Sequence, residues 1–341
     1  MSHPPPLTLA VVGCGHIGRR HLEVAEATPR VALAGYFDTD AAAVARARAA
    51  YPAARAYDSY AALLADGGVS AVSICTPHGL HAEMAIAAAR AGKHILVEKP
   101  MALSVADARA MIAAAADAGV RLFVVKQNRY NSPVKLVKRA LDEGRLGRIY
   151  LAQCNVLWNR GPEYYADSPW RGSRALEGGA LQTQVSHFID LLIWWLGDVE
   201  DAAGLTARLA HDIEFEDVGV AALKFGGGAV GALTWTTLAY NHNLEGSITL
   251  LGERGNIKVG GRYLNQVDHW DVRGYPLPHD LDFDDRPNDY GAYQGSSNNH
   301  DRALDALVDE LTVRRSGMVE GAEGMRTIAA IDRIYAATRP W

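Results

Sequence analysis

LTLAVVGCGHIG, residues 7–18, combines a short apolar run with a glycine-rich turn. The run Leu7–Val12 has the character of a buried strand, and Gly13, Gly15 and Gly18 follow it in G-x-G-x-x-G spacing. A strand, a tight glycine turn and a helix start in this order are typical of a dinucleotide-binding unit, in which the helix N-terminus meets a pyrophosphate. Because glycine turns also occur for structural reasons alone, the motif needs support from neighbouring residues.

Asp38 supplies that support. It lies at the end of a second apolar run, residues 31–38, where a carboxylate can accept hydrogen bonds from a ribose diol. A carboxylate also repels a 2′-phosphate, so the sequence predicts NAD, with Arg46 and Arg48 leaving NADP as a minor alternative. Helix capping is the structural alternative for Asp38. The residues predicted to bind the cofactor here are Gly13, Gly15, His16, Ile17, Gly18 and Asp38.

Strands alternate with alanine-rich helices in the first part of the chain. Apolar runs that resemble parallel strands buried on both faces recur at residues 71–77, 94–100 and 120–125. Ser104 and Asp107 form an S-x-x-D pattern typical of a helix start. The pattern predicts an α/β Rossmann domain, with a doubly wound parallel sheet, for residues 1–125.

The order of elements changes after Asn128. Several strands follow one another, and FGGGAV (225–230) has the composition of a hairpin turn. Helical segments frame these strands, among them an apolar one at 180–196 and two near the C-terminus. This order predicts an α+β domain with a largely antiparallel open sheet for residues 126–341.

Composition limits the class of protein. The chain has 341 residues, 49% hydrophobic and 21% charged, as expected of a soluble globular protein with two domains. A net charge of −5 argues against nucleic acid or an anionic membrane as a partner. Three widely spaced cysteines and no basic leader or membrane-length apolar run predict a cytoplasmic protein. No tight histidine spacing occurs, so we expect no metal.

Two titratable residues stand at positions suited to alcohol oxidation. Lys99 follows a buried strand, and Pro100 favours an extended backbone there that could aim the ammonium across the cleft. His187 lies on the apolar helix, where a helical wheel places it with Thr183 and Asp190 opposite the core-facing stripe. Histidine, with an ordinary pKa of about 6.5, suits proton transfer near neutrality, whereas lysine needs desolvation or a neighbouring cation. A solvated lysine and an exposed histidine are the structural alternatives.

Several spaced motifs together resemble the Gfo/Idh/MocA oxidoreductase family. They are the glycine turn, CTPHGLHAE at 75–83, AGKHILVEKP at 91–100 and GG…H-x-x-D-L-L around His187. The resemblance covers essentially the whole chain. It implies a Rossmann domain and a substrate domain whose open sheet face mediates formation of a homodimer or homotetramer.

The same resemblance implies roles for individual residues. Lys99 and His187 would line the catalytic site. Many family members carry Asp four residues before the histidine, whereas this chain has Thr183, which cannot act as an acid or base at neutral pH. Proton transfer should therefore fall on His187 or Lys99. The residues implied to lie near the cofactor are Thr76, Pro77, His81, Glu98 and Lys99.

Arginines alternate with aromatic residues in KQNRYNSPV (126–134), VLWNRGPEYY (156–165) and SPWRG (168–172). Such residues bind anionic ligands that carry a flat ring, although they are equally typical of an interface. With EGSITLLGERGNIKVGG (245–261), these stretches are similar to the UDP-N-acetylglucosaminuronate 3-dehydrogenases of that family. This implies oxidation of the sugar 3-hydroxyl with NAD, and relatives of this group can reoxidise NADH in place with 2-oxoglutarate. The candidate substrate-binding residues are Arg129, Tyr130, Arg160, Tyr165, Trp170, Arg171 and Thr183.

Three other functions remain open at the level of sequence. The chain could oxidise a free polyol or monosaccharide such as an inositol, although a ligand without phosphates would leave the arginines with less to bind. It could be an NAD-dependent lyase or glycosidase, in which oxidation is transient. It could also be a non-catalytic dinucleotide-binding sensor, although the presence of both Lys99 and His187 disfavours that function.

Overall fold

The computed structural model describes residues 5–166, 168–278, 287–289, 294–313 and 315–341, and within them the chain forms two compact units. One unit contains the described residues up to Val125 together with those of His300–Ile328. The other contains the described residues of Lys126–Asn299 and Ala329–Trp341. The sequence pattern assigned residues 126–341 to the second domain. The described residues of 300–328 instead belong with the first unit. The prediction that no basic leader is present includes residues 1–4. These residues lie outside the described part of the chain.

A six-stranded parallel sheet forms the centre of the first unit. Its strands are β1 (Leu7–Val12), β2 (Val31–Phe37), β3 (Arg55–Ala56), β4 (Ala71–Ile74), β5 (His94–Val97) and β6 (Leu122–Val124). They lie in the order β3-β2-β1-β4-β5-β6, and each pairs in parallel with its neighbour. The order reverses between β1 and β4, where open α/β sheets bind ligands at the carboxyl ends of the strands. The predicted doubly wound sheet is confirmed.

Alanine-rich helices cover this sheet. They are α1 (His16–Ala27), α2 (Ala41–Ala50), α3 (Tyr60–Ala65), α4 (His81–Arg90) and α5 (Val105–Asp117). Small side chains allow a close approach to the strands, and Ala85, Ala88 and Ala89 of α4 are buried in the core. Ser104 caps α5 by accepting a hydrogen bond from the Asp107 backbone N–H at 3.0 Å. The helix start predicted from the S-x-x-D pattern is therefore present.

A mixed eight-stranded sheet forms the centre of the second unit. The strands that follow β6 are β7 (Ile149–Leu157), β8 (Val199–Ala207), β9 (Val218–Phe225), β10 (Val230–Thr236), β11 (Glu245–Gly252), β12 (Gly255–Gly260), β13 (Gln266–Val272), β14 (Pro287–Asp289), β15 (Gln294–Ser297) and β16 (Thr338–Pro340). The large sheet has the order β13-β12-β11-β7-β10-β9-β8-β16, while β14 and β15 pair with each other.

Most neighbours in the large sheet are antiparallel, as predicted. The exceptions are β7 with β10 and β8 with β16, which pair in parallel. The glycine-rich segment after Phe225 joins β9 to β10 as an antiparallel hairpin, with Lys224 opposite Val230. The expected α+β domain with a largely antiparallel sheet is thus confirmed.

The helices of the second unit include α6 (Ser132–Asp142), α7 (Pro162–Ala166) and α8 (Ser186–Leu196). A π-helical turn, Leu181–Val185, leads directly into α8. The helical wheel places Thr183, His187 and Asp190 away from the core, yet they are only 8%, 5% and 2% exposed. The wheel misses this burial because polar side chains from other segments cover that face. Trp158 packs edge to face on Phe188 of α8, with ring centroids 5.6 Å apart.

Two helices complete the described chain, α9 (His300–Thr312) and α10 (Gly321–Ala337). Helix α9 packs against α1 and β1 in the first unit. Helix α10 belongs to both units, since the first unit ends at Ile328 and the second resumes at Ala329. In the part of the chain that the structure describes, no helix combines the length and apolar character needed to cross a membrane.

The glycine turn after β1 allows a test of how closely the backbone packs around Gly18 and Gly15. A Cβ at residue 18 would collide with the carbonyl oxygen of Gly13, whereas a Cβ at residue 15 would meet no protein atom within 4 Å. We expect Gly18→Ala to lower the free energy of unfolding by about 1–3 kcal/mol or more. Gly15→Ala should change it by less than about 0.5 kcal/mol. Denaturant titration followed by circular dichroism measures both, and equal losses would contradict the packing described.

Candidate active site

The turn between β1 and α1 has the form of the glycine turns that bind a pyrophosphate. Gly13 has a φ of +90°, which favours glycine, and Gly15 is the exposed N-cap of α1. Because a Cβ on Gly15 would meet no protein atom, the chain's own packing does not require glycine there. Glycine at this position leaves room for a ligand to approach the backbone closely. The first turn of α1 contains no acidic residue that would oppose a phosphate at the helix N-terminus.

Asp38 lies beside this turn, at the end of β2. Its carboxylate accepts hydrogen bonds from the backbone N–H groups of Cys14, at 2.5 Å, and Asp40, at 2.8 Å. The side chain that caps α2 is Asp40, which accepts from the Ala42 N–H at 2.8 Å. A carboxylate has about four lone-pair sites, so Asp38 retains the capacity to accept bonds from a ribose diol. These residues fit NAD.

His81 joins the loops that follow β4 and β5. Its ring nitrogens lie 2.9 Å from the carbonyl oxygen of Thr76 and 2.8 Å from that of Pro100. Burial lowers the pKa of His81, although both carbonyls act in the opposite direction. Thr76 and Pro77 remain half-buried, whereas His81 is completely buried. The imidazole therefore influences the predicted cofactor site through the two loops that it joins.

Glu98 occupies the centre of a buried cluster beneath Lys99. Its Oε1 lies 2.9 Å from Nε2 of His21 and 3.3 Å from Nε2 of His300. Its Oε2 accepts a hydrogen bond from the backbone N–H of Lys99 at 3.0 Å. Ser73 Oγ lies 2.8 Å from Nδ1 of His21 and extends the network to β4. The carboxylate thus holds the backbone of Lys99 to α1 and α9.

The charges in this cluster are set by competition between burial and hydrogen bonding. Burial raises the pKa of Glu98, but the hydrogen bond from His21 and the nearby imidazole of His300 outweigh it and hold the pKa well below its usual range. Burial lowers the pKa of His21, but Cys75 and Glu98 outweigh it and raise the pKa to about 10. The raised pKa of His21 and the lowered pKa of Glu98 both favour a buried ion pair between these two side chains.

The same three side chains form a group of metal-ligand types. Donor atoms of His21, Glu98 and His300 all lie within 4.8 Å of one another. The three residues are far apart in the sequence, so no local spacing could indicate this group. The hydrogen bonds and the ion pair already account for their arrangement.

Lys99 remains half-buried between Glu98 and Pro100, which are both buried. The peptide bond between Lys99 and Pro100 is cis. Since Glu98 holds the Lys99 N–H and His81 contacts the Pro100 carbonyl, the backbone is fixed on both sides of Lys99. Its side chain lies at the carboxyl end of β5, the edge of the sheet at which cofactors bind.

In the second unit, the start of the helix that carries His187 is held by a tyrosine. The Tyr335 hydroxyl donates to Glu216 at 2.7 Å and accepts from the Leu181 N–H at 3.2 Å. A Cβ on Gly179 would collide with this hydroxyl. The absence of a side chain at Gly179 therefore makes room for Tyr335.

Tyr164 organises the arginine-rich stretches of the second unit. Its hydroxyl donates to Glu177 at 3.0 Å and accepts from Gln184 at 3.1 Å. The guanidinium carbons of Arg171 and Arg160 lie 3.9 Å and 5.3 Å from the centroid of its ring. Two predicted substrate-binding residues are therefore brought together around an aromatic ring that was not itself predicted.

The other candidate residues of this region occupy distinct surroundings. Tyr165 packs against His211, with centroids 4.9 Å apart, and burial raises its pKa to about 12. The Trp170 ring centroid lies 5.7 Å from the guanidinium carbon of Arg171. Tyr130 contacts Lys135, whose Nζ lies 5.3 Å from the ring centroid.

Arg129 forms a buried ion pair. Its Nε and Nη2 donate to the two carboxylate oxygens of Asp190 at 2.7 Å and 2.9 Å, and Lys126 lies 3.3 Å from the same carboxylate. Burial raises the pKa of Asp190, but the charges of Arg129 and Lys126 outweigh it and lower the pKa far below its usual range. The guanidinium of Arg129 also stacks on Trp194 at 4.7 Å. Arg129 thus fixes α8 three residues beyond His187.

Sequence reasoning missed several residues that shape these surroundings. His21, His300, Tyr164 and Glu177 were not candidates, because each acts through a partner from a distant segment or a loop. Of these four residues, His21 was the one that the sequence could most readily have indicated, because it follows the glycine turn on the helix that the motif predicts.

Comparisons with known proteins agree with this geometry. Residues 7–126 match the model of an oxidoreductase family with an NAD-binding Rossmann fold, GFO_IDH_MocA, and residues 134–258 match the C-terminal domain of the same family. The chain belongs to the Gfo/Idh/MocA oxidoreductase family. Members of this family bind NAD in the unit that carries the glycine turn, and the chain is an NAD-dependent dehydrogenase.

Three relatives indicate where the chain lies within the family. The WlbA dehydrogenase from Bordetella pertussis, crystallised with NADH and UDP-GlcNAcA, is 40% identical over 97% of this chain and 96% of its own, with a TM-score of 0.88. Inositol 2-dehydrogenase 2 from Saccharopolyspora erythraea is 30% identical over 93% of this chain and 87% of its own. A 1-carboxy-3-chloro-3,4-dihydroxycyclohexa-1,5-diene dehydrogenase from Comamonas testosteroni is 31% identical over 73% of this chain, which spans 63% of that protein.

The His21–Glu98 pair generates a pH-dependent prediction. The folded-state pKa of His21, about 10, lies above the ordinary value of 6.5, so its stabilisation is complete below pH 6.5 and declines as the pH rises towards 10. We expect His21→Gln to lower the free energy of unfolding by about 3–5 kcal/mol at pH values below 6.5, where this stabilisation is complete. Denaturant unfolding at a series of pH values should show the difference from the wild type shrinking above pH 6.5.

His94→Gln is the matched control for this experiment. Burial and Arg121 lower the pKa of His94, so its contribution to stability becomes more favourable as the pH rises towards 6.5. The two variants should therefore show pH dependences of opposite sign. A difference for His21→Gln that does not change with pH would contradict the ion pair.

Proposed function

We propose that this protein oxidises the 3-hydroxyl group of UDP-N-acetylglucosaminuronate to a ketone with NAD. One observation carries the proposal, namely the 40% identity to the Bordetella WlbA dehydrogenase over 97% of the chain. That structure holds NADH and UDP-GlcNAcA, so the same pair of ligands is the first choice for this chain. We also propose that the protein is cytoplasmic and that it assembles as a homodimer or homotetramer.

The reaction removes a proton and a hydride from the same CH–OH group. His187 is proposed to accept the hydroxyl proton, since an imidazole titrates near neutrality. Lys99 is proposed to orient the hydroxyl and to stabilise the negative charge that develops on its oxygen. NAD, when bound, supplies the acceptor for the hydride. Thr183 is proposed to hold the sugar by a hydrogen bond. Because its hydroxyl does not ionise near neutral pH, it does not take part in the proton transfer.

The arginines are proposed to bind the anionic parts of the nucleotide sugar. Arg160 and Arg171 concentrate two positive charges around Tyr164, and guanidinium groups bind carboxylate and phosphate in bidentate fashion. Arg129 is already paired with Asp190, so we expect it to contribute through α8. The remaining proposed contacts with the sugar or the base are Tyr130, Tyr165 and Trp170.

Replacing Lys99 tests the mechanism. Lys99→Ala should lower kcat by about 10²–10⁴-fold, the range typical of a positioned proton-transfer or charge-stabilising group. It should leave the dissociation constant of NADH, measured by fluorescence titration, nearly unchanged. Lys224→Ala, at an exposed lysine paired with Glu200 in the second unit, is the control and should keep full activity. Full turnover by Lys99→Ala would remove Lys99 from the mechanism.

Oxidation of a free polyol is the second candidate, favoured by the similarity to the inositol 2-dehydrogenase. Competition by UDP distinguishes the two functions. For a nucleotide-sugar dehydrogenase, UDP alone should inhibit competitively with the sugar substrate, because the diphosphate and base contribute much of the binding. Activity on inositol that does not respond to UDP would favour the free polyol.

A further inference from the structure

The hydroxyl group of Thr183 lies against Glu177. It donates a hydrogen bond to the backbone carbonyl oxygen of Glu177, with the two oxygens 3.3 Å apart. The same hydroxyl lies close enough to the Glu177 carboxyl to lower its pKa, against the larger raising effect of burial. Thr183 lies in the π-helical turn that leads into α8, four residues before His187, and such turns are common at functional sites.

Glu177 is held in place from several directions. Its side chain is almost completely buried, with the residue only 1% exposed. Its Oε1 accepts from the Tyr164 hydroxyl at 3.0 Å and its Oε2 accepts from the Gly172 N–H at 2.6 Å. Both partners belong to the arginine-rich stretch, so Glu177 joins that stretch to the π-helical turn.

This arrangement fixes the hydrogen-bonding polarity of Thr183. A hydroxyl group has one proton to donate and two lone pairs that accept. The Glu177 backbone carbonyl accepts that single proton, and the neighbouring Glu177 carboxylate offers a second acceptor for it. With its proton committed to Glu177, the Thr183 oxygen meets any further polar group as an acceptor.

We infer that Glu177 is a positioning residue that makes Thr183 a hydrogen-bond acceptor towards the substrate, so that the enzyme selects a sugar bearing a hydroxyl or amide N–H donor at that position. This inference rests on the proposed function, in which Thr183 contacts the sugar. A carboxylate at position 183 would also accept, but with a full negative charge. Here the carboxyl group belongs to Glu177, and a neutral hydroxyl oxygen is left to contact the ligand.

A double-mutant cycle tests the inference. Thr183→Val keeps the shape of the side chain but removes the hydroxyl, and it should raise KM for the sugar substrate about tenfold, the effect of one lost hydrogen bond of about 1.4 kcal/mol. Thr183→Ser should restore KM to within about threefold of the wild type. Glu177→Gln offers an amide N–H to the Thr183 oxygen in competition with the substrate, and should raise KM about threefold to tenfold.

The decisive readout is the coupling between the two positions. Glu177→Gln should raise KM less than about twofold when Thr183→Val is already present, since the acceptor that Glu177 controls is then absent. An equal rise in both backgrounds would reduce Glu177 to a structural role and overturn the inference, as would a Thr183→Val variant with unchanged KM.

Glu216→Gln is the matched control. Glu216 is a second buried carboxylate of the same unit that accepts from a tyrosine hydroxyl, but its partner is Tyr335 and not Thr183. Its thermal destabilisation should resemble that of Glu177→Gln, whereas any effect on KM should combine additively with Thr183→Val. Coupling of the same size at Glu216 would also overturn the inference.

The experiment separates this inference from the proposed function. Failure of the wild type to oxidise UDP-N-acetylglucosaminuronate would overturn that substrate, whereas the cycle is measured on whichever CH–OH substrate the wild type does oxidise. Should Glu177→Gln fail to fold, monodeoxy and N-deacetylated analogues of the substrate replace it. The analogue that lacks the donor bound by Thr183 should bind the wild type more weakly than the full substrate does. Its KM should not change when Thr183→Val is introduced. Full sensitivity of every analogue would contradict the acceptor role of Thr183.

Discussion

The buried carboxylate of Glu98 joins segments of the first unit that are distant in sequence. His21 reaches it from α1, His300 from the start of α9 and the Lys99 N–H from its own loop. Removing one partner of such a pair is costly because the other is left as a buried charge. The position of Lys99 therefore depends on packing throughout the unit as well as on its local sequence.

Buried carboxylates in the second unit fall into two kinds. The pKa of Asp190 is lowered because two cations, Arg129 and Lys126, outweigh the effect of burial. Burial instead raises the pKa of Glu177 and Glu216, whose direct hydrogen-bond partners are mainly neutral hydroxyl and N–H groups. Asp190 is thus a permanent ion that secures α8, while Glu177 and Glu216 can change protonation under milder acidity.

Local sequence signals predicted most of the architecture. The glycine turn followed β1 as expected, Ser104 capped α5, and the glycines after Phe225 formed a hairpin. Each of these signals acts within a few residues, where backbone conformation and a single hydrogen bond decide the outcome. For the candidate site, the same kind of signal located Asp38 and Lys99 at the carboxyl ends of strands.

Interactions between distant residues were beyond such reasoning. His300 meets Glu98 only because the chain returns to the first unit, and Tyr335 reaches Leu181 from near the C-terminus. The helical wheel described the apolar stripe of α8 but could not show that loop side chains bury its polar face as well. Spacing within a segment cannot reveal a partner that another segment supplies.

The division of the chain has a practical consequence for dissecting the protein. The backbone passes between the units after Val125, after Asn299 and after Ile328, so neither unit corresponds to one uninterrupted stretch of the gene. A fragment that stops at residue 125 would lack α9 and would leave Glu98 without His300. Chimaeras that exchange cofactor or substrate modules among relatives would need to transplant the C-terminal helices along with the N-terminal segment.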